Sequence, residues 1–231
     1  MIKNEFLGWK KSEIIWLLIA VSVILGLSIY WGDTTLAIIS ATTGVMCVVL
    51  TGKGKISSFI FGLINIVTYI YIAYVARFYG EVMLNAIYYL PMQFVGIYFW
   101  NKNMNNDTYE VVKNKLKFKT WILIIIGIVM VSIVYGFILN LLGGNLPYID
   151  SFSTVLAVVA MIMIVKRLTE QWYLWICVNI IMIGMWIWNF YHNQDNLATL
   201  LMWGVYLINA IIMLFKWKRE SEICLQKEKI V

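Results

Sequence analysis

Eight apolar runs, each about the length needed to cross a bilayer, take up most of this 231-residue chain: residues 13–31, 34–50, 56–76, 82–100, 119–142, 151–166, 170–190 and 196–216. In hydrocarbon every backbone N–H and C=O must find a partner within the protein, and a helix of about 20 apolar residues achieves this while crossing a core roughly 30 Å thick. The chain is therefore expected to be an all-α integral membrane protein. Composition agrees, since 62% of the residues are hydrophobic and only 13% charged, about half the charged share of a soluble domain. The first run continues from Ile14 to Trp31 without the short apolar core and small-residue cleavage site of a secretory leader, so it is read as a span and no cleaved segment is expected.

Charge orients the spans. Threading them alternately places the N-terminus, the Lys53/Lys55 loop, the 102–119 loop, Lys166/Arg167 and the C-terminal tail on one side. Of the 18 Lys and Arg residues, all but Arg77 fall there. The positive-inside rule makes that side cytoplasmic and puts both termini in the cytosol. The net charge of +6 thus has a topological cause, and because the cations are scattered over five segments no nucleic-acid partner is expected. The run Lys113, Lys115, Lys117, Lys119 is expected to lie against anionic lipid headgroups.

The chain also repeats itself. Setting "TGKGKISSFIFGLINIVTYIYIAY" (from Thr51) beside "VKRLTEQWYLWICVNIIMIGMWIW" (from Val165) at a separation of 114 aligns Lys53 with Arg167, Phe61 with Trp175 and Asn65 with Asn179. With three residues inserted, Tyr89 falls on Tyr206 and Trp100 on Trp217. The implied organisation is an N-terminal tail and extra helix (1–32), a first three-helix unit (33–100), a basic cytoplasmic loop (101–118), a linker helix (119–142), a second three-helix unit (150–217) and a cytoplasmic tail (218–231). One odd span between two triplets gives both the same orientation. Such parallel repeats are a transporter plan in which substrate sits near the midplane between the halves.

Side chains able to bind something gather on particular faces. At 100° per residue, Trp172, Trp175, Asn179, Met182 and Trp186 share one narrow face of span seven, and Ser58, Phe61, Asn65, Tyr69 and Ile72 share one of span three. Polar groups are costly in lipid, so Asn65 and Asn179 should face the interior, as two walls of one cavity. Span four adds Asn85, Tyr89 and Gln93, and span eight adds Tyr206 and Asn209. Trp100, Trp121, Trp203 and Trp217 lie near span ends, where interfacial aromatic belts form. Pro91, inside span four, removes a backbone bond and is expected to kink the helix, a candidate gate hinge. Ala37, Ala41 and Gly44 offer a small-residue face for close helix packing.

Absences narrow the function. Span centres hold no Asp, Glu, Lys or Arg: Arg77, Glu81, Asp150 and Glu170 sit at span ends, with Glu170 placed to complement a helix N-terminus. Ion coupling through a buried carboxylate therefore has no evident candidate. Cys47, Cys177 and Cys224 show no paired spacing and the single His192 lies in a polar loop, so neither a metal site nor a cofactor is expected. With no phosphate loop, no zinc-protease motif and no nucleophile–base pair, an enzyme is not expected. A phosphorylated substrate would lack a countercharge at the midplane. An aromatic, hydroxylated, unphosphorylated molecule fits better, since Trp faces stack on rings and attract cations while Asn and Gln pair with amides and hydroxyls.

Three segments, "KISSFIFGLINIVTY" (Lys55 to Tyr69), "DSFSTVLAVVAMIM" (Asp150 to Met163) and "KRLTEQWYLWICVNIIMI" (Lys166 to Ile183), together with Trp100 and Trp217, resemble the PnuC-type bacterial vitamin transporters. The E-x-W-x-L-W-x-x-x-N pattern from Glu170 to Asn179 carries most of the likeness, which spans residues 33 to 217. The resemblance implies a three-plus-one-plus-three core similar to the SWEET sugar transporters, set in the bacterial inner membrane. It also implies facilitated diffusion of nicotinamide riboside, trapped by a cytosolic riboside kinase, and a homotrimer. Trp175 and Asn179 would then hold the riboside, with Trp172, Asn65, Tyr69, Gln93 and Tyr206 as cavity partners. Tyr89, Trp186 and Asp150, which opens the second segment, complete the candidate site. Thiamine or riboflavin as substrate, and a vitamin-binding subunit serving a separate ATP-driven module, remain open at this level.

Overall fold

In the computed structural model, residues 7–105, 108–144, 146–193 and 197–228 are described. They form eight helices long and apolar enough to cross a membrane: α1 (Lys11–Tyr30), α2 (Thr35–Lys53), α3 (Ser57–Val75), α4 (Tyr79–Asn101), α5 (Phe118–Leu141), α6 (Pro147–Val165), α7 (Gln171–Asn193) and α8 (Leu197–Glu228). Burial separates them: 67% of the most apolar window of α6 is inside the protein, against 17% for α1 and 22% for α5. α6 is therefore a core element. α5, with a mean hydropathy of 3.0, presents most of its surface outward, as a helix apolar all round does in lipid. α8 continues without a break to Glu228, so residues 218–228 prolong the last helix.

The two three-helix units share their local chemistry. α2 stops because Gly54 takes a left-handed conformation (φ 85°) and Lys55 N–H returns to Leu50 O. α6 stops the same way, with Arg167 at φ 61° and Leu168 N–H returning to Met163 O. This 6→1 closure satisfies carbonyls that the helix end would otherwise orphan. The cap thus pairs Gly54 with Arg167, one residue off the separation of 114 that links the starts of α3 and α7, so the extra residue lies in the second loop.

The units are also locked reciprocally. Trp100, at the end of α4, donates to Ile164 O on α6 (3.2 Å), and Trp217, on α8, donates to Gly52 O on α2 (2.8 Å). Each meets an aromatic edge, Trp100 on Phe59 (5.0 Å) and Trp217 on Trp172 (5.6 Å). Both indoles are fully buried, and Trp203 is buried too. The belt expectation fails for these three, because Trp100 and Trp217 bond carbonyls inside the bundle and Trp203 packs edge-on against Tyr69 and Tyr206; Trp121 alone of the four stays half-exposed, beside Tyr173. Trp217→Ala is expected to cost about 3 to 5 kcal/mol, as for other fully buried aromatics. The check is the thermal midpoint in detergent, and a shift no larger than that of Trp121→Ala would count against the lock.

At the basic end, charges pair rather than fan out. Lys53 reaches Glu13 (2.6 Å) and Glu110 (2.8 Å), Lys113 reaches Glu110 (3.1 Å) and Glu220 (2.7 Å), and Lys216 reaches Glu13 (2.7 Å) and Glu220 (4.0 Å). The six close an alternating ring that ties α1, α2, the 102–117 loop and α8 together. Burial works against the Glu110 charge, but Lys113, Lys53 and Lys216 outweigh it and hold that carboxyl below its usual range. Lys113 is therefore not at the headgroups as expected, and Lys115 pairs with Glu222 (2.9 Å); only Lys117 and Lys119 are exposed. Glu170 differs as well: it accepts from Leu116 N–H (3.0 Å) and pins the loop.

Candidate substrate cavity

Between the units lies a cavity of about 120 Å³, walled by α2, α3, α4, α6, α7 and α8. Eight of the residues expected at the site line it: Trp172, Trp175, Asn179, Asn65, Tyr69, Tyr89, Gln93 and Tyr206. Asn85 and Asn209 line it too. On α7 the spacing of three and four residues does this alone, since it keeps Trp172, Trp175 and Asn179 on one side of the helix.

α4 needs a different device. In a regular helix Gln93 would be rotated about 120° from Glu81, but one turn of α4, Leu84–Tyr89, is wound as a π-helix, with Leu90 N–H donating to Asn85 O. That extra residue brings the rotation down to about 20°. Glu81, Asn85, Tyr89 and Gln93 then form one row along the cavity. The wide turn sits just before Pro91, which has no N–H to donate to the carbonyl four residues back.

Several wall groups are buried with no hydrogen-bond partner among the described residues: Asn179 Oδ1, Gln93 Oε1, Trp172 Nε1, Trp175 Nε1 and Trp203 Nε1. Buried polar atoms are rarely left so, and here two acceptors and three donors share one enclosed space. Asn65 and Asn209 are different. Asn65 donates to Ser40 O (2.8 Å), and Asn209 accepts from Trp16 Nε1 (3.2 Å) while donating to Val48 O (3.0 Å), so both fasten α2 to its neighbours. Gly44 permits this approach, because a Cβ there would collide with the Tyr206 hydroxyl and lie 2.8 Å from Asn65 Nδ2.

Two expected residues stand behind the wall. Trp186 packs edge-on to Phe78 (5.2 Å) and donates to the Tyr69 hydroxyl (3.1 Å), so it positions a cavity residue instead of facing the cavity. Asp150 accepts from Gly80 N–H (2.9 Å) and caps the first turn of α4 from the other unit. The α3 face is also partly turned: Asn65 and Tyr69 stay on the cavity, but Phe59 and Gly62 line it and Phe61 does not. Gly62 leaves room for Gln93 in its present position, since a Cβ there would lie 2.7 Å from Gln93 Oε1.

The largest departure concerns Glu81. Read as a span end, it is instead 3% exposed and lines the cavity, because α4 begins at Tyr79 and its first turn is enclosed by Phe78 and Asp150. A carboxyl group is thus built into the wall, while no Lys or Arg is among the described lining residues. Phe59, Cys47, Met202 and Trp203, also lining, carry no sequence signal that separates them from ordinary core residues.

An eight-span helical bundle whose two three-helix units enclose a largely apolar cavity with a few unpartnered polar groups defines a membrane transport protein by architecture. A family model described as nicotinamide mononucleotide transporter matches residues 34–219. The nicotinamide riboside transporter PnuC of Neisseria mucosa is 38% identical over 94% of this chain and 84% of its own length; that of Haemophilus influenzae is 34% identical over 94% and 95%. A crystal structure of the vitamin B3 transporter PnuC superposes with a TM-score of 0.87 at 37% identity, covering 95% of this chain and 96% of that one. The chain belongs to the PnuC family of bacterial multi-pass membrane transporters. It is a transporter and not an enzyme.

Proposed function

We propose that this protein carries nicotinamide riboside across the bacterial inner membrane by facilitated diffusion, with both termini cytoplasmic and the basic end facing the cytosol. The observation that carries the reading is the set of unpartnered atoms on Asn179, Gln93, Trp172 and Trp175 in one cavity. Asn and Gln oxygens suit an amide N–H and ribose hydroxyls. Trp175, 6.5 Å from Tyr89, offers a face to the pyridinium ring. Glu81 puts an acidic group in the wall that ionises to balance a cationic ring as the ring binds, an ionisation that a phosphate group beside it would oppose. This favours the riboside over the mononucleotide, for which the described lining offers no cation.

The enclosed volume is below the roughly 300–1,000 Å³ of drug-sized ligand sites, so admission of a nucleoside requires the two units to part. The π turn beside Pro91 is the proposed flex point. Phosphorylation by a cytosolic riboside kinase would trap the imported substrate, and a homotrimer is the assembly belonging to this reading.

The test is binding of nicotinamide riboside to the purified protein, competed by thiamine, riboflavin, nicotinamide mononucleotide and the uncharged dihydro form of the riboside. Tight binding displaced poorly by all four supports the reading, and weak competition by the dihydro form supports the role of Glu81. Displacement by thiamine would change the substrate. Uptake into liposomes without ion gradients tests facilitated diffusion, and uptake that needs a gradient would overturn it. Trp175→Ala is expected to weaken riboside binding by about 1 to 3 kcal/mol, the range for stacking on an aromatic side chain; an unchanged dissociation constant would remove Trp175 from the ring site.

A further inference from the structure

A second recess, of about 700 Å³, opens at the basic end between α4, α6, α8 and the 102–117 loop. One wall is apolar and belongs to the spans: Met92 and Phe99 on α4, Ile162 on α6, with Phe99 and Ile162 well exposed. The other end holds Lys113, Lys115, Lys166 and Arg167, and no acidic residue is among its described lining.

These cations are not equivalent. Lys113 is neutralised by Glu110 and Glu220, and Lys115 by Glu222. Lys166 and Arg167 have no carboxylate within ion-pair distance among the described residues, and the Arg167 guanidinium contacts only a carbonyl in the described contacts, Val112 O at 3.3 Å. Burial alone pushes the Arg167 pKa down, as expected of a charge that lacks a counterion. About two positive charges therefore remain uncompensated beside an exposed apolar wall.

We propose that this recess binds one anionic phospholipid, its phosphate on Lys166 and Arg167 and an acyl chain along Met92, Phe99 and Ile162. The levels match: Phe99 and Ile162 lie within a turn of the ends of α4 at Asn101 and α6 at Val165, so a headgroup at the cations leaves its chain at hydrocarbon depth. Basic pockets between span ends are suited to such headgroups. A soluble phosphate would use the cations but gain nothing from the apolar wall, and that difference decides for a lipid. The site is separate from the central cavity, so it stands whether or not the transported molecule is the riboside.

The test is native mass spectrometry of the full chain in neutral detergent, equilibrated with phosphatidylglycerol or with phosphatidylcholine of the same chain length. One phosphatidylglycerol per chain is expected to be retained, in preference to phosphatidylcholine by roughly tenfold to thirtyfold, the effect of two cations near a surface. In the double variant Lys166→Gln, Arg167→Gln the preference should vanish while central-cavity binding stays at the wild-type level. If that variant does not fold, Lys166→Gln alone should lower the preference about fivefold. Equal retention of both lipids, an unchanged preference in the variants, or displacement of the lipid by inorganic phosphate or glycerol 3-phosphate would overturn the proposal. So would occupation of the recess by a second copy of the chain.

Discussion

Asn179→Leu is expected to lower the affinity for nicotinamide riboside on the order of 100-fold or more while leaving the thermal midpoint unchanged or slightly raised. Asn179 is 2% exposed and its Oδ1 has no partner within the described protein. Leucine nearly matches its volume and removes an unsatisfied acceptor, which by itself is neutral or stabilising. The substrate, by contrast, would lose a hydrogen bond in a desolvated site and bury its own donor unpaired, the situation in which discrimination becomes large. Titration calorimetry with the purified protein, beside a thermal melt, separates the two effects. Wild-type affinity would remove Asn179 from the site, and a collapsed midpoint would show that it is a structural asparagine like Asn65.

Lys53→Met should destabilise the fold by about 3 to 5 kcal/mol, because it removes one partner from a buried ion pair and strands the others. Lys53 is 3% exposed and touches Glu13, Glu110 and the Gly8 carbonyl. For a chain of this length the loss corresponds to a fall in midpoint of roughly 6 to 20 °C. Adding Glu110→Gln to Lys53→Met should recover part of it, since contacting sites are not additive; full additivity would mean that the ring does not act as a unit. Acid should act in the same direction. The Glu110 carboxyl is held below its usual range, so its contribution is complete above about pH 4.3, the ordinary glutamate value, and is lost as pH falls through the lowered folded value.

Much of the cavity was legible from one helix. Trp172, Trp175 and Asn179 recur at helical spacing, and lipid forbids such a face from pointing outward, so periodicity and solvation suffice to turn it inward. Glu81 was not legible, because a carboxylate near the edge of an apolar run reads as the edge. What buries it is Phe78 at the start of its own helix and Asp150 from the other three-helix unit. That Phe59 lines the cavity and Phe61 does not, while Asn65 and Tyr69 stay on it, is a partial turn of α3, which helix packing sets and helical periodicity does not. Trp100 and Trp217 carried the sequence signature of belt residues; their carbonyl partners lie 64 and 165 residues away along the chain.

The sequence by itself determined the number of spans, the side on which the cations gather, the presence of two related triplets and the inward face of α7. Each follows from a local rule: hydrocarbon thickness, charge near span ends, or the period of a helix. Only the tertiary structure decided which polar groups remain unpaired in the cavity, that a carboxylate stands among them, and that Glu13, Glu110 and Glu220 neutralise three of the lysines. Those outcomes depend on the rotation and depth of each helix against partners far away in the chain, where a shift of one residue turns a side chain by about 100° and changes what it meets.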